Sequence, residues 1–582
     1  MSSGTPFPWK SLFLLLPLSI LISGYNLYFS NQDIQIPLIL WLNDPSLFPG
    51  DPFAATLGGY SSLLWPIVAV ISRVVPWQVV FFAGFVLTRG LMLLAGGRLA
   101  SALFPQSRLA PVAAMAALAM GPQPFLGGGT IIEVYFEHTA LSVAFALLAF
   151  GELLRGRTIL CAALAGLTFF LNALYGVFAC TYLFAAWLHM GRWRQDGPGR
   201  IALGLLAFAA LAAPAFLASL HAVGETKTSD PIFWHEAVLQ RFPHHFWPGA
   251  WSAASYFFHF ASSLAVACIL FRRRPAEPGN ERFGLAMFVV SLLWFFFALD
   301  AAYFLTEPTG VILHPARGMD LWIAFVAIYL AALCGHMFEH RSGQATWSWL
   351  PLAGFAALLA FWPLGAAGLL VGLAVAAAIA FAGRFKSTRW LSARPLTAAI
   401  AIIAFVVLVA RVEERNEHQD SWFAFPRGEQ LELALWARDH TEPSATFLID
   451  PSWKSFRPLS RRPVFTTWKD GSAILWHTRF VEEWNRRLEL LGAPLFLNDE
   501  PDDWEERLED EYHDLSEFEV ALIAAQVPID YWIVTEARWG RTDWPVAFQT
   551  ETYRVVRVPE SPALTTAEDG ATTGVSPAGS SD

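Results

Sequence analysis

Long apolar runs separated by short polar loops fill most of the chain, up to residue 411. A helix needs roughly 20 apolar residues to cross a bilayer, and several runs are shorter, which indicates tilted or broken helices. The pattern predicts a mainly α-helical fold, a polytopic transmembrane bundle of about 13 spans. The predicted spans are residues 9–30, 77–103, 109–121, 139–154, 158–171, 172–189, 201–222, 251–271, 283–304, 317–335, 346–362, 364–383 and 396–411. The run 61–75, which Pro66 interrupts, could be a span or a half-buried hairpin. It is expected not to cross, and if it does cross, another of the predicted spans does not.

A different pattern begins at residue 429, after a linker predicted over residues 412–428. Short blocks with strand-like and helix-like periodicity now alternate, which predicts a soluble α/β domain over residues 429–558. Predicted helices cover 429–440, 474–491 and 518–525, and predicted strands cover 445–449, 463–467, 531–534 and 553–558. The acidic stretch 499–514 predicts a solvated loop or an exposed helix face. The tail 559–582, rich in Ser, Thr, Ala and Gly, is predicted to be disordered.

The amino-acid composition also divides the chain into an apolar N-terminal part and an acidic C-terminal part. The chain is 55% hydrophobic and 15% aromatic, above the usual share in soluble proteins. Residues 1–410 contain 22 Lys and Arg against 16 Asp and Glu, whereas residues 411–582 contain 17 against 33. All four cysteines lie in apolar runs, so the soluble domain has neither a disulfide framework nor a cysteine zinc site. It also lacks a glycine-rich phosphate loop that would indicate a nucleotide.

Cationic residues occur in alternate loops, and the positive-inside rule uses this alternation to set the orientation. The cationic positions are 155–157, 192–200, 272–282, 341 and 384–394. If these loops face the cytoplasm, the N-terminus is inside. The soluble domain then lies on the periplasmic side of the inner membrane, and the opposite loops carry most of the acidic residues of the membrane domain.

The first outer loop follows the first span and contains Asp33, Asp44 and Asp51 without any Lys or Arg. Long loops between membrane segments are commonly functional. Asp33 has two open interpretations, a general base for an acceptor or a cap on a short helix predicted from Ile34 to Leu42. Asp44 and Asp51 precede prolines in turn sequences, so a structural role is favoured for both.

The second outer loop contains Glu133 and Glu137, four residues apart, followed directly by His138. This spacing places the two carboxylates on roughly one face. Two carboxylates beside a histidine could hold a cation or share acid–base work. The alternative is a hydrated helix start at which Glu137 and His138 face water. The functional interpretation gains weight because this loop is expected on the same side as Asp33.

Cationic candidates occur later in the chain. Arg317, preceded by His314, enters a predicted span, and a guanidinium fork suits a phosphate group. The alternative is an Arg317–Asp320 ion pair at one helix end. The adjacent His244 and His245 lack the i, i+4 spacing of a helical metal pair, so a metal role is not favoured there.

The soluble domain contains one more candidate, the segment Trp468-Lys469-Asp470-Gly471, which follows several arginines. These cations could face the membrane domain and touch an anionic lipid head group or a glycan. The favoured alternative is a strand-flanking loop with ordinary surface ion pairs.

This layout resembles the GT-C class of membrane glycosyltransferases, which includes protein mannosyltransferases, oligosaccharyltransferases and aminoarabinose transferases. The resemblance covers the order of spans, acidic loops and outer domain along the whole chain. Few sequence motifs of the class are present. Asp33 matches the position of the first-loop acid of the class, and Glu133 or Glu137 that of the second-loop acid. Arg317 corresponds loosely to the cations that grip a lipid phosphate. No Asp-Glu pair stands at Asp33, and the segment 468–471 only faintly resembles the Trp-Trp-Asp-Tyr-Gly motif of oligosaccharyltransferases.

The resemblance implies an enzyme that transfers a sugar, with inversion, from a polyprenyl-phosphate-linked donor to an envelope glycan, lipid or protein acceptor. The catalytic residues that go with this function are Asp33, Glu133 and Glu137. The predicted substrate-binding residues are Arg317, from the resemblance, and the neighbouring histidines His138 and His314, from their positions beside these charged groups. Asp33 is the implied base. The expected partners are the lipid bilayer and the donor, without nucleic acid. No metal ligand is assigned and the cofactor is left open, a divalent cation being one option.

Two other classes of function stay open. A polysaccharide or lipid transporter, or a flippase, would use buried polar residues as a substrate path and should show pseudo-symmetric halves. A non-catalytic subunit of an envelope glycan assembly machine would keep the fold without the chemistry.

Overall fold

The structure is a computed structural model of the chain. It describes residues 5–60, 62–119, 126–225, 230–272, 278–339, 423–424, 427–495, 504–536 and 542–559. Several predictions lie outside these ranges: the spans 346–362, 364–383 and 396–411, the cationic positions 341 and 384–394, most of the linker, and the tail beyond residue 559.

The part of the chain before residue 340 is helical, as the apolar pattern predicts. Its helices are α1 (Trp9–Ser23), α2 (Gln32–Asn43), α3 (Leu64–Ser72), α4 (Trp77–Leu103), α5 (Leu109–Ala119), α6 (His138–Leu154), α7 (Thr158–Leu171), α8 (Ala173–His189), α9 (Arg192–Gln195), α10 (Pro198–Glu225), α11 (Pro231–Arg241), α12 (Pro243–Phe246), α13 (Ala253–Arg272), α14 (Pro278–Tyr303), α15 (Pro308–Ile312) and α16 (Asp320–Glu339). Short 3-10 helices cover Ala54–Gly59, Pro248–Ala250 and Pro315–Met319.

Four stretches of the described chain are helical, long and apolar enough to cross a membrane: Trp77–Leu103, Pro198–Leu220, Asn280–Tyr303 and Pro308–His336. Six further apolar helices have only 10–17 residues. These lengths support a membrane protein but do not establish about 13 spans. With nine residues, α3 rises only about 14 Å, against the roughly 30 Å of the hydrocarbon core.

The long apolar helices differ in how much of their surface is buried inside the protein. In the most apolar window of Pro308–His336, 89% of residues are buried, whereas the corresponding share for Pro198–Leu220 is 17%. Glycine permits close approach at the centre: a Cβ atom added to Gly335 of α16 would lie 2.7 Å from the Leu109 carbonyl oxygen. Small residues therefore bring α16 against α5, a common packing device between apolar helices.

The C-terminal segment combines helices with a small sheet, as the sequence predicts. Its helices are α17 (Gly428–His440), α18 (Phe456–Ser460), α19 (Phe480–Leu490), α20 (Trp504–Asp514) and α21 (Glu517–Gln526), with a 3-10 helix over Trp468–Leu475. Its strands are β3 (Phe447–Leu448), β4 (Tyr531–Thr535), β5 (Val546–Gln549) and β6 (Tyr553–Arg557). The strand order is β3-β4-β6-β5, with β3 and β4 parallel and the other pairs antiparallel.

Two predictions in this segment are wrong in detail. Residues 463–467 do not form a strand, because Val464 makes only a single parallel bridge, to Phe447. The helix predicted over 474–491 is broken: the 3-10 helix ends at Leu475, and α19 begins at Phe480. The break coincides with long-range hydrogen bonds, since Trp234 Nε1 donates to the Ile474 carbonyl at 2.9 Å. Strand β5 was not predicted.

The C-terminal segment packs directly on the helical part. Strand β1 (Tyr25–Asn26), just after α1, pairs in parallel with β2 (Phe423–Ala424). One buried apolar cluster includes Trp65 and Phe81 from the helical part together with Trp468, Trp484 and Val556 from the C-terminal segment. The two parts thus share a hydrophobic core around the first outer loop.

Candidate active site

A cavity of about 270 Å³ lies where the loop 127–137, helices α11 and α12, and the C-terminal segment meet. Acidic, cationic and imidazole side chains line it together: Glu133, Glu137, Arg241, His244, His245, Arg317 and Lys469. Tyr135, Tyr175, Asn31 and the glycines Gly128 and Gly129 also line it. Both glycines have positive φ angles, 77° and 84°, which suit the tight turn that opens this wall.

Arg317 stands on this wall within a 3-10 helix, just before α16. Its Nη2 lies 3.0 Å from His245 Nε2, and His245 Nδ1 contacts the Gly127 carbonyl. If Nδ1 carries the proton for Gly127, Nε2 is left to accept from Arg317. Arg317 Nε is buried without a hydrogen-bond partner among the described residues. A guanidinium with an unused donor beside a cavity is suited to bind an anion.

The suggested Arg317–Asp320 ion pair is wrong: no such pair within 4.0 Å occurs in the described part of the chain. Asp320 is buried and accepts a hydrogen bond from the Tyr175 hydroxyl instead. Tyr175 lines the cavity, and helix α8 is held at its start by Asn172, whose side chain accepts from the Tyr175 amide at 3.3 Å. No sequence pattern had marked Tyr175.

Glu137 is buried and fully engaged, so the hypothesis of a hydrated helix start is wrong for it. Its Oε1 accepts from Asn31 Nδ2 at 3.2 Å, and its Oε2 accepts from the Tyr135 hydroxyl at 3.0 Å. Burial, followed by the charges of Glu137 and Glu133, raises the pKa of Tyr135 well above its ordinary value, which keeps the phenol protonated as a donor. Glu137 therefore orders the first outer loop against the second.

Glu133 accepts hydrogen bonds from different groups than Glu137 does. Its Oε1 accepts from the Thr130 amide at 3.2 Å. Burial, with the negative charge of Glu137 second, raises the pKa of Glu133 to about 7. A carboxyl group with a pKa near 7 on a cavity wall can take up and release protons at neutral pH.

His138 and His314 are not among the cavity-lining residues of the described chain. His138 begins α6, buried against Trp65, with 5.8 Å between ring centroids. His314 has a left-handed backbone, φ 44°, and lies against Phe246, with 4.4 Å between ring centroids. Both histidines lie behind the wall, so direct contact of either with a substrate in this cavity stays a prediction.

Asp33 lies in the first turn of α2, in a separate pocket of about 20 Å³. The cap position of α2 is Asn31, so Asp33 is not the cap. Its Oδ1 accepts from the Ser455 amide at 3.1 Å, while its Oδ2 is buried without a partner among the described residues. Burial raises the pKa of Asp33 to about 7, although Lys469 opposes the shift.

Lys469 connects the two spaces, because it lines both the large cavity and the Asp33 pocket. Its Nζ donates to Asn31 Oδ1 at 3.0 Å. Burial, with the nearby charge of Arg241 second, lowers the pKa of Lys469 to about 8. A capping box, in which Thr467 and Asp470 exchange side-chain and backbone hydrogen bonds, holds this 3-10 helix in place. The segment 468–471 thus faces the membrane domain, and the strand-flanking loop alternative is wrong.

Asp51 has a role that its turn sequence concealed. Its Oδ1 accepts from the Phe53 and Ala54 amides, as a turn residue should. Its Oδ2 lies 2.7 Å from Arg457 Nε, and Arg457 also forms a bidentate pair with Asp470 at 2.8–2.9 Å. The three side chains are at most 6% exposed.

Within the part of the chain that the structure describes, the cavity does not bring together three metal-ligand side chains. Among the described residues, the group of three or more His, Cys, Asp or Glu ligand atoms within 4.8 Å of one another is Asp450, Glu509 and His513, in the C-terminal segment. Glu133 and Glu137 remain the cavity carboxylates that could contact a cation accompanying an anionic substrate.

The chain is similar to one family model over a short segment and to solved structures over most of its length. A family model described as a domain of unknown function (DUF6798) matches residues 415–491. No curated protein matches the chain. Two structures of the Archaeoglobus fulgidus oligosaccharyltransferase are similar, one in the apo form and one tethered by a disulfide to an acceptor peptide containing the NVT sequon. The TM-score is 0.45 for both, with 12% and 13% identity, over 91% of this chain and 70% and 69% of that protein. A likeness at this level carries no argument about the chemistry of this chain.

Proposed function

We propose that this chain is a membrane glycosyltransferase that acts on the outer face of the inner membrane, with its C-terminal segment in the periplasm. The donor is a polyprenyl-phosphate-linked sugar, and the acceptor is an envelope glycan, lipid or protein. The observation that supports this proposal is the cavity in which the cations Arg317, Arg241 and Lys469 face the carboxylates Glu133 and Glu137.

The cationic side of the cavity suits the leaving group. When the bond between the sugar C1 and the phosphate oxygen breaks, the phosphate gains negative charge, and fixed positive charge lowers the energy of that transition state. Arg317 lines the cavity and offers the planar fork of its guanidinium group. Lys469 adds a point charge that a hydrogen bond to Asn31 orients.

The acidic side suits the acceptor. We assign Glu133 as the general base: its carboxylate takes the proton of the acceptor O–H or N–H as that atom attacks C1 from the face opposite the phosphate. The base then carries the proton, the phosphate leaves with the electron pair, and the configuration at C1 inverts. Glu137, held by Asn31 and Tyr135, positions the loop that carries Glu133.

Asp33 stays a competing prediction for the base. Its pocket is small, and Asp33 does not line the larger cavity. Since Lys469 borders both spaces, an acceptor that displaces Lys469 from Asn31 would reach Asp33. Variants of the two carboxylates decide between the assignments.

The donor site is tested by binding. The purified full chain in lipid nanodiscs should bind a polyprenyl phosphate at least about tenfold more tightly than the matching uncharged polyprenol, because the cations recognise the phosphate. Arg317→Lys keeps the charge but loses the fork, so it should weaken phosphate binding, whereas the exposed control Arg108→Lys should not. Equal affinity for the phosphate and the alcohol would contradict the proposal.

The chemistry is tested in cells by analysis of envelope glycans. Glu133→Gln should fold and insert normally but reduce transfer by the roughly 10²–10⁴-fold typical of a lost general base. The matched control is Glu307→Gln, at an exposed glutamate outside the cavity. If Asp33→Asn abolishes transfer while Glu133→Gln keeps it, Asp33 is the base. If both variants keep full activity, the transporter class moves ahead of the glycosyltransferase class.

A further inference from the structure

A second cluster of polar side chains lies in the C-terminal segment, away from the cavity. Asp450 follows strand β3, and Glu509 and His513 are four residues apart on α20. Four-residue spacing places the last two side chains on one helix face. His513 Nε2 lies 3.2 Å from Asp450 Oδ2 and 3.9 Å from Glu509 Oε1. The three ligand atoms all lie within 4.8 Å of one another.

The surrounding contacts orient these ligands. Asp450 Oδ1 accepts from the Ser452 amide at 2.8 Å and from the Ser452 hydroxyl at 2.7 Å, which leaves Oδ2 directed to His513. Tyr512, next to His513, is buried, and its hydroxyl donates to the Ile533 carbonyl of strand β4. This bond fixes the rotation of α20 against the sheet. The histidine is therefore aimed at Asp450 by the fold.

The electrostatic balance of the cluster favours a cation. Asp450 and Glu509 place two carboxylates beside one imidazole, and Glu505 and Asp510 lie on the same acidic helix. Carboxylates gathered at one place repel each other unless a proton or a cation neutralises them. Tetrahedral or octahedral ligands about 2.0–2.2 Å from a metal ion lie about 3–3.5 Å apart. The His513–Asp450 distance of 3.2 Å already falls in that range. Glu509 Oε1 lies 3.9 Å from His513 Nε2, and its side chain is 46% exposed, so it is free to rotate toward the other two ligands.

We propose that Asp450, Glu509 and His513 bind a divalent transition-metal ion of the Zn²⁺ type. An imidazole nitrogen selects Zn²⁺, Co²⁺ or Ni²⁺ over Mg²⁺ and Ca²⁺, which prefer oxygen ligands alone. Three protein ligands on a partly exposed surface leave a coordination position for water or another ligand. The proposal concerns the C-terminal segment and does not depend on the glycosyltransferase assignment.

The site lies at one end of a loop whose other end reaches the membrane part. The loop runs from Asp450 to Ser455, and the Ser455 amide donates to Asp33. Ser455 has a left-handed backbone, with φ 72°, so its conformation requires support from neighbouring structure. A metal ion that ties Asp450 to α20 would support the start of this loop.

The test is a metal titration of the purified full chain after removal of bound metal. Co²⁺ is the probe, because Co²⁺ with nitrogen and oxygen ligands absorbs visible light, and Zn²⁺ then competes for the site. One Co²⁺ should bind with visible absorption, and Zn²⁺ should displace it. His513→Gln keeps a hydrogen-bonding side chain but loses the imidazole. It should weaken binding by about 100-fold or more, beyond the roughly 10–100-fold effect of losing a group that only orients a ligand.

Two controls accompany the titration. His440→Gln changes an exposed histidine of α17, and Glu506→Gln changes an exposed carboxylate of α20. Both should titrate like the unmodified chain. Glu509→Gln, at a partly exposed position, provides a second ligand variant that should fold normally and bind Co²⁺ more weakly. Absence of a Co²⁺ spectrum in the unmodified chain, or an unchanged titration in both His513→Gln and Glu509→Gln, would overturn the proposal and leave an ordinary His–Asp pair.

Discussion

Arg457 Nε lies 2.7 Å from Asp51 Oδ2, and this buried ion pair joins the first outer loop to the C-terminal segment. The remaining donors of Arg457 engage Asp470, so the guanidinium is satisfied on two sides. Both carboxylates raise the pKa of Arg457 above its ordinary value, even though burial alone would lower it. The pair fixes where the C-terminal segment docks on the membrane part, beside both the cavity and the Asp33 pocket.

Breaking this pair should destabilise the whole protein. Asp51→Asn leaves a buried guanidinium short of one negative partner, and losses of about 3–5 kcal/mol are typical when one member of a buried pair is removed. Thermal unfolding of the purified chain measures the change. Asp44→Asn is the matched control: Asp44 accepts hydrogen bonds from Ser46 at an exposed turn, so its loss should cost about 0.5 kcal/mol or less. Equal, small effects of both variants would restore the turn interpretation of Asp51.

The pH dependence of transfer should report Glu133. The proposed base must be ionised, and its pKa is raised to about 7, so the rate should rise with pH up to about 7. It should fall again above about pH 8, where Lys469 loses the proton that gives it its positive charge. Glu137→Gln removes the neighbouring negative charge and should move the acidic limb of the profile to lower pH. A pH–rate series on both forms measures this shift. An acidic limb that does not move in Glu137→Gln would show that another group is the base.

Stability should depend on pH through Asp33. Its pKa in the folded chain is raised to about 7, so the folded state holds a proton that the unfolded state releases near pH 4. The free energy of unfolding should therefore fall as pH rises from about 4 to 7. Asp33→Asn cannot titrate at this position, so its stability does not fall in this way. The free energy of unfolding of the variant, minus that of the unmodified chain, should therefore increase by about 1 kcal/mol or more from pH 5 to pH 8. Thermal unfolding at the two pH values measures the difference, and a constant difference would contradict it.

The orientation of the chain in the membrane can be tested without an activity assay. The alternation of cationic loops predicts that the chain after Val412, which lies outside the described residues, is on the outer side. A reporter that works only outside the cytoplasm should be active when fused there, and a cytoplasmic reporter should be silent. The opposite result would reverse the orientation and move the cavity to the other face of the membrane.

The sequence alone determined the helical class, the change of character near residue 429, and several elements of the C-terminal segment. These features follow from local properties: apolar runs seek a membrane or a core, and period-2 and helical patterns appear within a few residues. It also identified Glu133, Glu137 and Arg317, which line one cavity, because charges that interrupt or adjoin apolar runs are conspicuous.

Only the tertiary structure decided which of these groups meet. Asp33 and Lys469 are separated by more than 400 residues, yet Lys469 borders the Asp33 pocket. Asp51 has the local hydrogen bonds of a turn residue, because its Oδ1 accepts from nearby backbone amides. Its Oδ2 contacts Arg457, which is also more than 400 residues away in the sequence. Such pairings depend on how a shared core brings distant segments together, and no local periodicity encodes that arrangement.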